Sequence, residues 1–281
     1  MSVPVATAIA GVRAAVAAAR AQGHTVGFVP TMGALHAGHA ALVRAAADRC
    51  GFVVASVFVN PTQFGPAEDF AKYPRTLEAD CRVVADAGGH LVFAPATVEM
   101  YPPGSLTHVE VGRLGDTLCG LRRPGHFRGV ATVVLKLLNV VGPDVAVFGA
   151  KDAQQCRVIR RMARDLDVPV RIAVEPTVRE PDGLALSSRN RYLSPAERAA
   201  APGIYRALVT LKTLAAVETD VSVLESGLRA ELAAIPGARL DYADLVDDED
   251  LQPLARLDRP ALAAVAVFLG TTRLIDNVTV G

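Results

Sequence analysis

Apolar runs of strand length alternate with helix-forming stretches through the amino-terminal part of the chain. Runs typical of buried parallel strands lie at 26–30, 52–59, 90–93, 144–148 and 169–174. Patterns typical of helices lie at 39–50, 76–87, 129–141 and 151–166. This alternation predicts an α/β fold with a Rossmann-like, doubly wound parallel sheet that binds its ligands at the carboxyl ends of the strands. We expect Pro30 to end the first strand, because proline cannot continue a central strand.

The pattern changes after Pro176. A polar segment at 179–193 is followed by helical stretches at 195–216 and 220–234, and then by strand-like runs at 238–246, 261–269 and 273–280. Ser194 and Glu197 are spaced as a capping box at the start of the first of these helices. Helices grouped before strands indicate a smaller α+β unit. The sequence therefore predicts a nucleotide- and substrate-binding domain over 1–178 and a carboxyl-terminal lid domain over 179–281.

Composition limits the classes of partner. The chain has 281 residues, and its 29 Lys and Arg balance its 29 Asp and Glu, so no net charge attracts it to nucleic acid or to an anionic membrane. The alanine-rich start is interrupted by Arg13 and predicts a surface helix rather than an anchor. Cys50, Cys81, Cys119 and Cys156 show no C-x-x-C spacing and are expected to be reduced core residues. We expect a cytoplasmic protein with small-molecule partners, no nucleic acid and no membrane.

The segment VGFVPTMGALHAGH, residues 26–39, carries the most informative chemistry. A strand is followed by a Gly-rich turn, and His36 and His39 lie where a helix begins. Free amides at a helix start attract anions, and imidazoles beside them can bind phosphate oxygens and, if protonated, stabilise a pentacoordinate phosphorus transition state. Two histidines three residues apart are also a possible metal half-site or simple polar decoration. The absence of an H-E-x-x-H pattern disfavours a zinc hydrolase.

Polar residues follow two further predicted strands. Asn60 and Gln63 come after the run at 52–59 and can hold a hydroxyl and a carboxylate of one small substrate. An Asn-Pro turn without a ligand explains this segment alone equally well. After Gly149, one helix face can present Lys151, Asp152 and Gln155 to phosphate, ribose and a polar substrate. Helix-dipole and solvated roles are equally compatible with Asp152 and Lys151.

Two basic segments complete the candidates. Ser187, Ser188 and Arg189 offer two hydroxyls and a guanidinium that can bind a polyphosphate, although Ser-rich loops are common. The other segment has arginines at helical spacing and is interpreted as a solvated helix face: Arg157, Arg160, Arg161 and Arg164.

These segments together resemble the pantothenate synthetase (pantoate–β-alanine ligase) family of the nucleotidyltransferase superfamily. The resemblance runs from Gly27 to Asn277. It rests on PTMGALHAGH, VFVNPTQFGPAEDFAKYPRT, RPGHFRGV, FGAKDAQQ, DGLALSSRNRYL and LGTTRLIDN. The H-x-G-H signature alone marks the superfamily, and the glutamine and Ser-Ser-Arg-Asn motifs mark the family.

The resemblance implies an AMP-forming ligase. Pantoate and ATP would give pantoyl-adenylate and pyrophosphate, and β-alanine would then displace AMP to give pantothenate, the precursor of coenzyme A. It also implies Mg²⁺ with the ATP and a homodimer formed through the amino-terminal domain.

The resemblance also implies roles for residues at matching positions. The triphosphate would be contacted during adenylyl transfer by His36, His39, Lys151, Ser187, Ser188 and Arg189. The ribose would be held by Gly149 and Asp152, and the adenine by the backbone near Val178. Pantoate would be bound by Gln63, Gln155 and Asn60, with Met32 contacting both ATP and pantoate as it closes the site. Gln63 would also reach β-alanine. Asp80 is the candidate for a carboxylate close to the metal.

Three positions depart from the family pattern: Ala150 and Cys119 replace acidic residues, and Ala67 replaces a common asparagine. None of them removes a predicted phosphate or pantoate ligand, so activity is expected. Two alternatives are a nucleotidyltransferase that makes a dinucleotide cofactor and a nucleotide-sensing scaffold without turnover. The glutamines at 63 and 155 disfavour the first, and the presence of His39 and Lys151 disfavours the second.

Overall fold

The computed structural model describes residues 3–66 and 68–281, so the departure at Ala67 lies outside the described residues. The amino-terminal part contains, in chain order, β1 Val5–Ala6, α1 Ile9–Ala21, β2 Val26–Thr31, α2 Ala37–Ala47, β3 Phe52–Val57, α3 Leu77–Asp86, β4 Leu91–Phe93, α4 Thr97–Met100, α5 Leu118–Arg122, α6 His126–Val141, β5 Val145–Gly149, α7 Ala153–Asp165 and β6 Arg171–Glu175. The carboxyl-terminal part contains α8 Pro195–Ala200, α9 Gly203–Leu214, α10 Val221–Ala233, β7 Ala238–Asp247, β8 Ala261–Leu269 and β9 Thr272–Val280.

The first sheet has the strand order β1-β4-β3-β2-β5-β6, and its paired strands are parallel. From β2 the sheet extends in one direction through β3, β4 and β1, and from β5 it extends in the other direction to β6. The strand order therefore reverses between β2 and β5. Ligands of doubly wound sheets bind at such a switch point, outside the carboxyl ends of the strands. This architecture confirms the predicted fold class. A ligand is therefore expected beside the loops after β2 and β5.

The prediction that Pro30 ends the first strand is wrong. β2 continues to Thr31, and Pro30 is paired in register with Ser56 of β3. By the alternation of the ladder, the nitrogen of Pro30 points toward β5, but the β2–β5 pairing ends at Phe28. No ladder hydrogen bond is therefore lost at Pro30, because the two strands have already separated there.

Other elements also differ from the sequence prediction. β1 was not predicted, since a strand of two residues at a sheet edge leaves no periodicity. The helix predicted over 195–216 is divided into α8 and α9 next to Pro202, which lacks the N–H that a continuous helix needs. The capping box of Ser194 and Glu197 at the start of α8 is confirmed.

The second sheet is antiparallel in the order β7-β8-β9 and belongs to two cores. Leu262, Ala264 and Ala266 of β8 pack in the core of the large sheet. The alternate residues Ala263 and Val265 pack against α9 and α10 in the second core. This double burial explains why β8 is an unbroken apolar run.

The cysteines match their prediction: in residues 3–66 and 68–281 each is buried and none forms a disulfide. Within the same ranges, no helix combines the length and the apolar character that crossing a membrane requires.

Candidate active site

The turn after β2 is held by side-chain hydrogen bonds. The Thr31 hydroxyl donates to the Ser56 carbonyl (2.6 Å) and accepts from the Gly33 amide (3.1 Å). Gly33 and Ala34 have φ values of 84° and 53°, the left-handed region that costs L-residues energy. A Cβ at Gly33 would also lie 2.9 Å from Val57, so the tight turn requires glycine there.

Asp80 of α3 fixes the same turn. Its buried carboxylate accepts from the amides of Ala34 (3.1 Å) and Leu35 (2.8 Å) and from the Thr76 hydroxyl (3.1 Å). These contacts satisfy the hydrogen-bonding capacity of the buried carboxylate oxygens. In the part of the chain that the structure describes, no group of three or more His, Cys, Asp or Glu could hold a metal ion. The metal-proximal role of Asp80 stays a prediction, while its contacts favour a positioning role.

His36 and His39 form the amino-terminal cap of α2, where the sequence predicted them. The Nδ1 of His36 accepts from the Gly38 amide (3.1 Å), and the Nδ1 of His39 accepts from the His36 amide (3.3 Å). Since both Nδ1 atoms accept, each neutral ring carries its proton on Nε2. Each histidine therefore keeps an Nε2–H donor that the cap does not use.

The charge state of the two rings follows from their surroundings. Burial, followed by the positive charges of Lys151 and Arg191, lowers the pKa of His36 to about 4. Burial, followed by the nearby His36, lowers the pKa of His39 to about 3. Both imidazoles are therefore neutral at pH 7 and act as hydrogen-bond donors rather than as cations.

Asn60 contacts Gln63, and both of its side-chain polar atoms form hydrogen bonds within the protein. Its Nδ2 donates to the Gln63 Oε1 (3.0 Å) and to the Gly129 carbonyl (3.2 Å). Its Oδ1 accepts from the hydroxyls of Thr62 (2.9 Å) and Tyr101 (2.9 Å). With 1 % of its surface exposed, Asn60 orients Gln63 instead of offering free polar atoms to a substrate.

Gln63 is also held by residues to which sequence reasoning gave no role. The His126 Nδ1 is 2.8 Å from the Gln63 carbonyl, to which Arg123 also donates (3.3 Å). Arg123 forms a bidentate pair with Glu68 (2.7 and 2.5 Å), while burial, followed by the charge of Arg123, lowers the pKa of His126 to about 4. The RPGHF segment was the available signal, but these contacts join residues about sixty positions apart and no local pattern predicts them.

Two adjacent glutamines at the start of α7 have different roles. Gln154 is buried and structural, since its amide donates to the carbonyls of Leu114 and Thr117 (both 2.8 Å) and accepts from the Cys119 amide (3.0 Å). Gln155, Lys151 and Asp152 instead face the cavities described below. The sequence prediction chose the glutamine that faces open space.

Ser187 and Arg189 lie in the polar segment after β6. The Ser187 hydroxyl accepts from the Arg189 amide (3.3 Å) and caps a short 3₁₀ helix over Ser188–Tyr192. The Arg189 guanidinium pairs with Asp69 (3.3 Å) on the segment that follows Gln63. This ion pair joins the segment after β6 to the segment that follows Gln63.

The predicted residues surround one cavity of about 240 Å³ at the switch point. Its lining includes Met32, His36, His39, Asn60, Gln63, Gly149, Lys151, Asp152, Gln155, Val178, Ser187, Ser188 and Arg189. Asp80 is absent from this lining, as its position behind the turn requires. The cavity adjoins a cleft of about 1020 Å³ between the two sheets, with Lys151, Asp152 and Gln155 lining both.

The basic face of α7 is only partly solvated. Arg160, Arg161 and Arg164 are exposed, but Arg157 is mostly buried and binds the carboxylate and carbonyl of Asp248 in the carboxyl-terminal part. The prediction of a solvated face is therefore wrong for Arg157, because its partner lies far away in sequence.

The family model for pantoate-beta-alanine ligase matches residues 4–279. The chain belongs to the pantoate–β-alanine ligase family. Pantothenate synthetase from Moorella thermoacetica is 54 % identical over 271 residues, 96 % of each chain, and that from Pelotomaculum thermopropionicum is 52 % identical over 274 residues, 97 % of each chain.

Solved structures of the family have the same fold. Pantothenate synthetase from Thermus thermophilus superposes with a TM-score of 0.92 at 49 % identity, covering 98 % of both chains. Pantoate-beta-alanine ligase from Francisella tularensis, complexed with beta-gamma ATP and beta-alanine, gives a TM-score of 0.81 at 33 % identity, covering 99 % of this chain and 97 % of that one. Family membership decides against the dinucleotide-forming enzyme and the scaffold without turnover.

Proposed function

We propose that this chain joins pantoate to β-alanine at the expense of ATP, releasing AMP and pyrophosphate through a pantoyl-adenylate intermediate. The observation that carries the proposal is the switch-point cavity, whose lining combines imidazole donors and Lys151 with the amides of Gln63 and Gln155. Support also comes from the Francisella tularensis relative, whose structure holds beta-gamma ATP and beta-alanine.

The triphosphate lies against the start of α2 and the turn after β5 in this proposal. His36 and His39 donate their Nε2–H groups to phosphate oxygens, and Lys151 supplies the positive charge. Ser187, Ser188 and Arg189 reach the same phosphates from the other side of the cleft. Fixed donors of this kind stabilise the charge that develops during adenylyl transfer. Binding of ATP would compete with Asp69 for Arg189, because both are anionic partners.

The remaining parts of the two substrates occupy the rest of the cavity. Gly149 and Asp152 hold the ribose, and the backbone at Val178 contacts the adenine. Gln63 and Gln155 bind the hydroxyl and carboxylate of pantoate, with Met32 against its apolar part. The Gln63 Nε2 lies 3.1 Å from the Met32 Sδ, a weak contact that a substrate oxygen would replace with a stronger one. We assign Asn60 the task of orienting Gln63.

The chemical steps need no covalent enzyme intermediate. A pantoate carboxylate oxygen bonds to the α-phosphorus of ATP while the bond from that phosphorus to the bridging oxygen breaks, and pyrophosphate leaves. The neutral β-alanine amine then bonds to the acyl carbon and releases one proton to water, and AMP leaves with the electron pair of the acyl–oxygen bond. The protein contributes by positioning the reactants and by stabilising charge.

Mg²⁺ enters this proposal together with ATP. Mg²⁺ retains several waters and commonly uses substrate phosphates with one or two carboxylates, so it does not need a dedicated protein cage. The donor set fits this mode, since Asp69 and Asp152 line the cleft near the phosphate-binding residues. When bound, the ion neutralises phosphate charge. Asp80 would act indirectly, through the turn that carries His36.

We also propose a cytoplasmic location, a homodimer and a division of the chain into two domains. The buried free cysteines suit a reducing compartment such as the cytoplasm. A homodimer through the amino-terminal domain is supported by partly exposed Val5 on the edge strand β1 and exposed Val98 on the nearby α4. The domain division at 178 and 179 is supported by the second core, which is built from residues after that point.

The test is a reaction with ATP, pantoate and β-alanine. AMP and pyrophosphate should appear only with pantoate present, and release of ADP would contradict the adenylate mechanism. His39→Ala and Lys151→Ala should each lower pantoate-dependent ATP–pyrophosphate exchange by about 10²-fold, as loss of one transition-state donor typically does. The exposed residues His108 and Lys212 supply the matched controls His108→Ala and Lys212→Ala, which should retain activity. Near-normal exchange in the two site variants would refute the assigned roles.

A further inference from the structure

β9 contacts the turn that carries Lys151. The Asn277 Nδ2 donates to the carbonyl oxygens of Ala150 and of Lys151, both at 3.0 Å. These carbonyls belong to the 3₁₀ turn Ala150–Asp152 between β5 and α7. One half-buried amide of the carboxyl-terminal part therefore fixes two successive peptide groups of the amino-terminal part.

The neighbouring residue of β9 fixes a second segment of the site. Asp276 is buried and forms a bidentate pair with Arg179 (2.6 and 2.9 Å), whose guanidinium stacks 3.6 Å from the Tyr205 ring centroid. Arg179 follows Val178, whose carbonyl accepts from the Leu186 amide (3.0 Å). Adjacent residues of β9 thus contact both the Lys151 turn and the hairpin that leads to Ser187.

We infer that Asn277 is a positioning residue for adenylyl transfer, an assignment that rests on the proposed function. The lysine stem is flexible, so the place of its ammonium depends on the direction of the backbone that carries it. Two hydrogen bonds from one planar amide fix that direction at Ala150 and Lys151. Misplacement of a catalytic group by about 1 Å can cost on the order of 10²-fold in rate. Asn277 therefore affects the step in which Lys151 acts, and not the attack of β-alanine.

The test separates the two half-reactions. Asn277→Asp keeps the size of the side chain but turns an oxygen toward the two carbonyls, which removes the donors and adds repulsion. We expect pantoate-dependent ATP–pyrophosphate exchange to fall by about 10- to 100-fold. The rate of pantothenate formation from supplied pantoyl-adenylate and β-alanine should stay close to that of the unmodified protein. Asn277→Ala removes the donors without adding repulsion, so its rate of ATP–pyrophosphate exchange should fall less.

Both rates are measured on the same sample, so their ratio does not depend on the fraction of folded protein. Thr279→Ala, an exposed position on the same strand, is the matched control and should leave both rates unchanged. If both half-reactions lose the same fraction of their rate, their ratio is unchanged. That result would mean that Asn277 is merely structural and would overturn the inference. If the unmodified protein makes no AMP with pantoate, the proposed function itself fails.

Discussion

At the scale of single residues, the charge state of the histidine pair connects binding with stability. The ring centroids of His36 and His39 are 4.2 Å apart, so a proton on one ring repels a proton on the other. Their low pKa values keep both rings neutral before ATP binds. Bound phosphate would favour a proton on one of them, because an anion stabilises an imidazolium.

This arrangement predicts a pH dependence of stability. The pKa of His39 is about 3 in the folded protein and about 6.5 in an unfolded chain. Between these values the unfolded state binds more protons, so stability is fully present above about pH 6.5 and decreases as the pH falls toward the folded pKa. In that window the loss approaches about 1.4 kcal/mol per pH unit for one histidine.

His39→Gln removes this contribution while retaining an acceptor for the His36 amide, as glutamine does in capping boxes. Urea unfolding at about pH 7 and about pH 5 should show a smaller loss of unfolding free energy in the variant than in the unmodified protein. His108→Gln on the exposed surface serves as the control. Parallel pH profiles for His39→Gln and the unmodified protein would contradict this explanation.

At the scale of elements, the sequence predicts strands and helices well where burial leaves a pattern. β3 and β8 are buried on both faces and appear as unbroken apolar runs. β1 is too short to leave such a pattern. Pro30 was misinterpreted because the rule concerns a lost hydrogen bond, and at this point of the sheet no partner is present to lose.

The sequence predicted which residues form the site, but it did not predict the role of each one. The motifs identified the chemistry of Gln63, while the tertiary structure decided that Asn60 and His126 hold it in place. The sequence does not show which groups will donate hydrogen bonds to the side-chain oxygen atoms of a buried asparagine or aspartate. Asp80 illustrates this, since its carboxylate accepts from backbone amides that lie 45 and 46 positions away in the chain.

Asp80 leads to a prediction for α3 and the turn it supports. Asp80→Asn places an NH₂ group or a weaker acceptor against the amides of Ala34 and Leu35, and leaving buried donors unsatisfied costs about 1–3 kcal/mol. We expect lower stability and a lower maximal rate of adenylate formation, with the Mg²⁺ concentration for half-maximal rate unchanged. The exposed Asp86 on the same helix gives the control Asp86→Asn. A large increase in the Mg²⁺ requirement would instead assign Asp80 to the metal.

At the scale of the whole molecule, the small sheet joins the two parts of the chain. One face of β7 and β8 packs in the core of the large sheet, and the other packs against α9 and α10. Arg157 with Asp248, and Asn277 with the Lys151 turn, add polar contacts across the same boundary. The carboxyl-terminal part is therefore a structural partner of the large sheet, in addition to the lid role predicted from sequence.

Because one sheet contributes to both cores, we expect the protein to unfold in a single cooperative transition. Leu262→Ala removes packing from the first core and Leu245→Ala from the second, and each should cost about 2–5 kcal/mol. In scanning calorimetry, both variants should lower the midpoint of one shared transition whose calorimetric and van't Hoff enthalpies agree. Two separately unfolding domains would give a different result, with two transitions of which each variant shifts only one. Val209→Ala, on an exposed position of α9, controls for the loss of apolar volume alone.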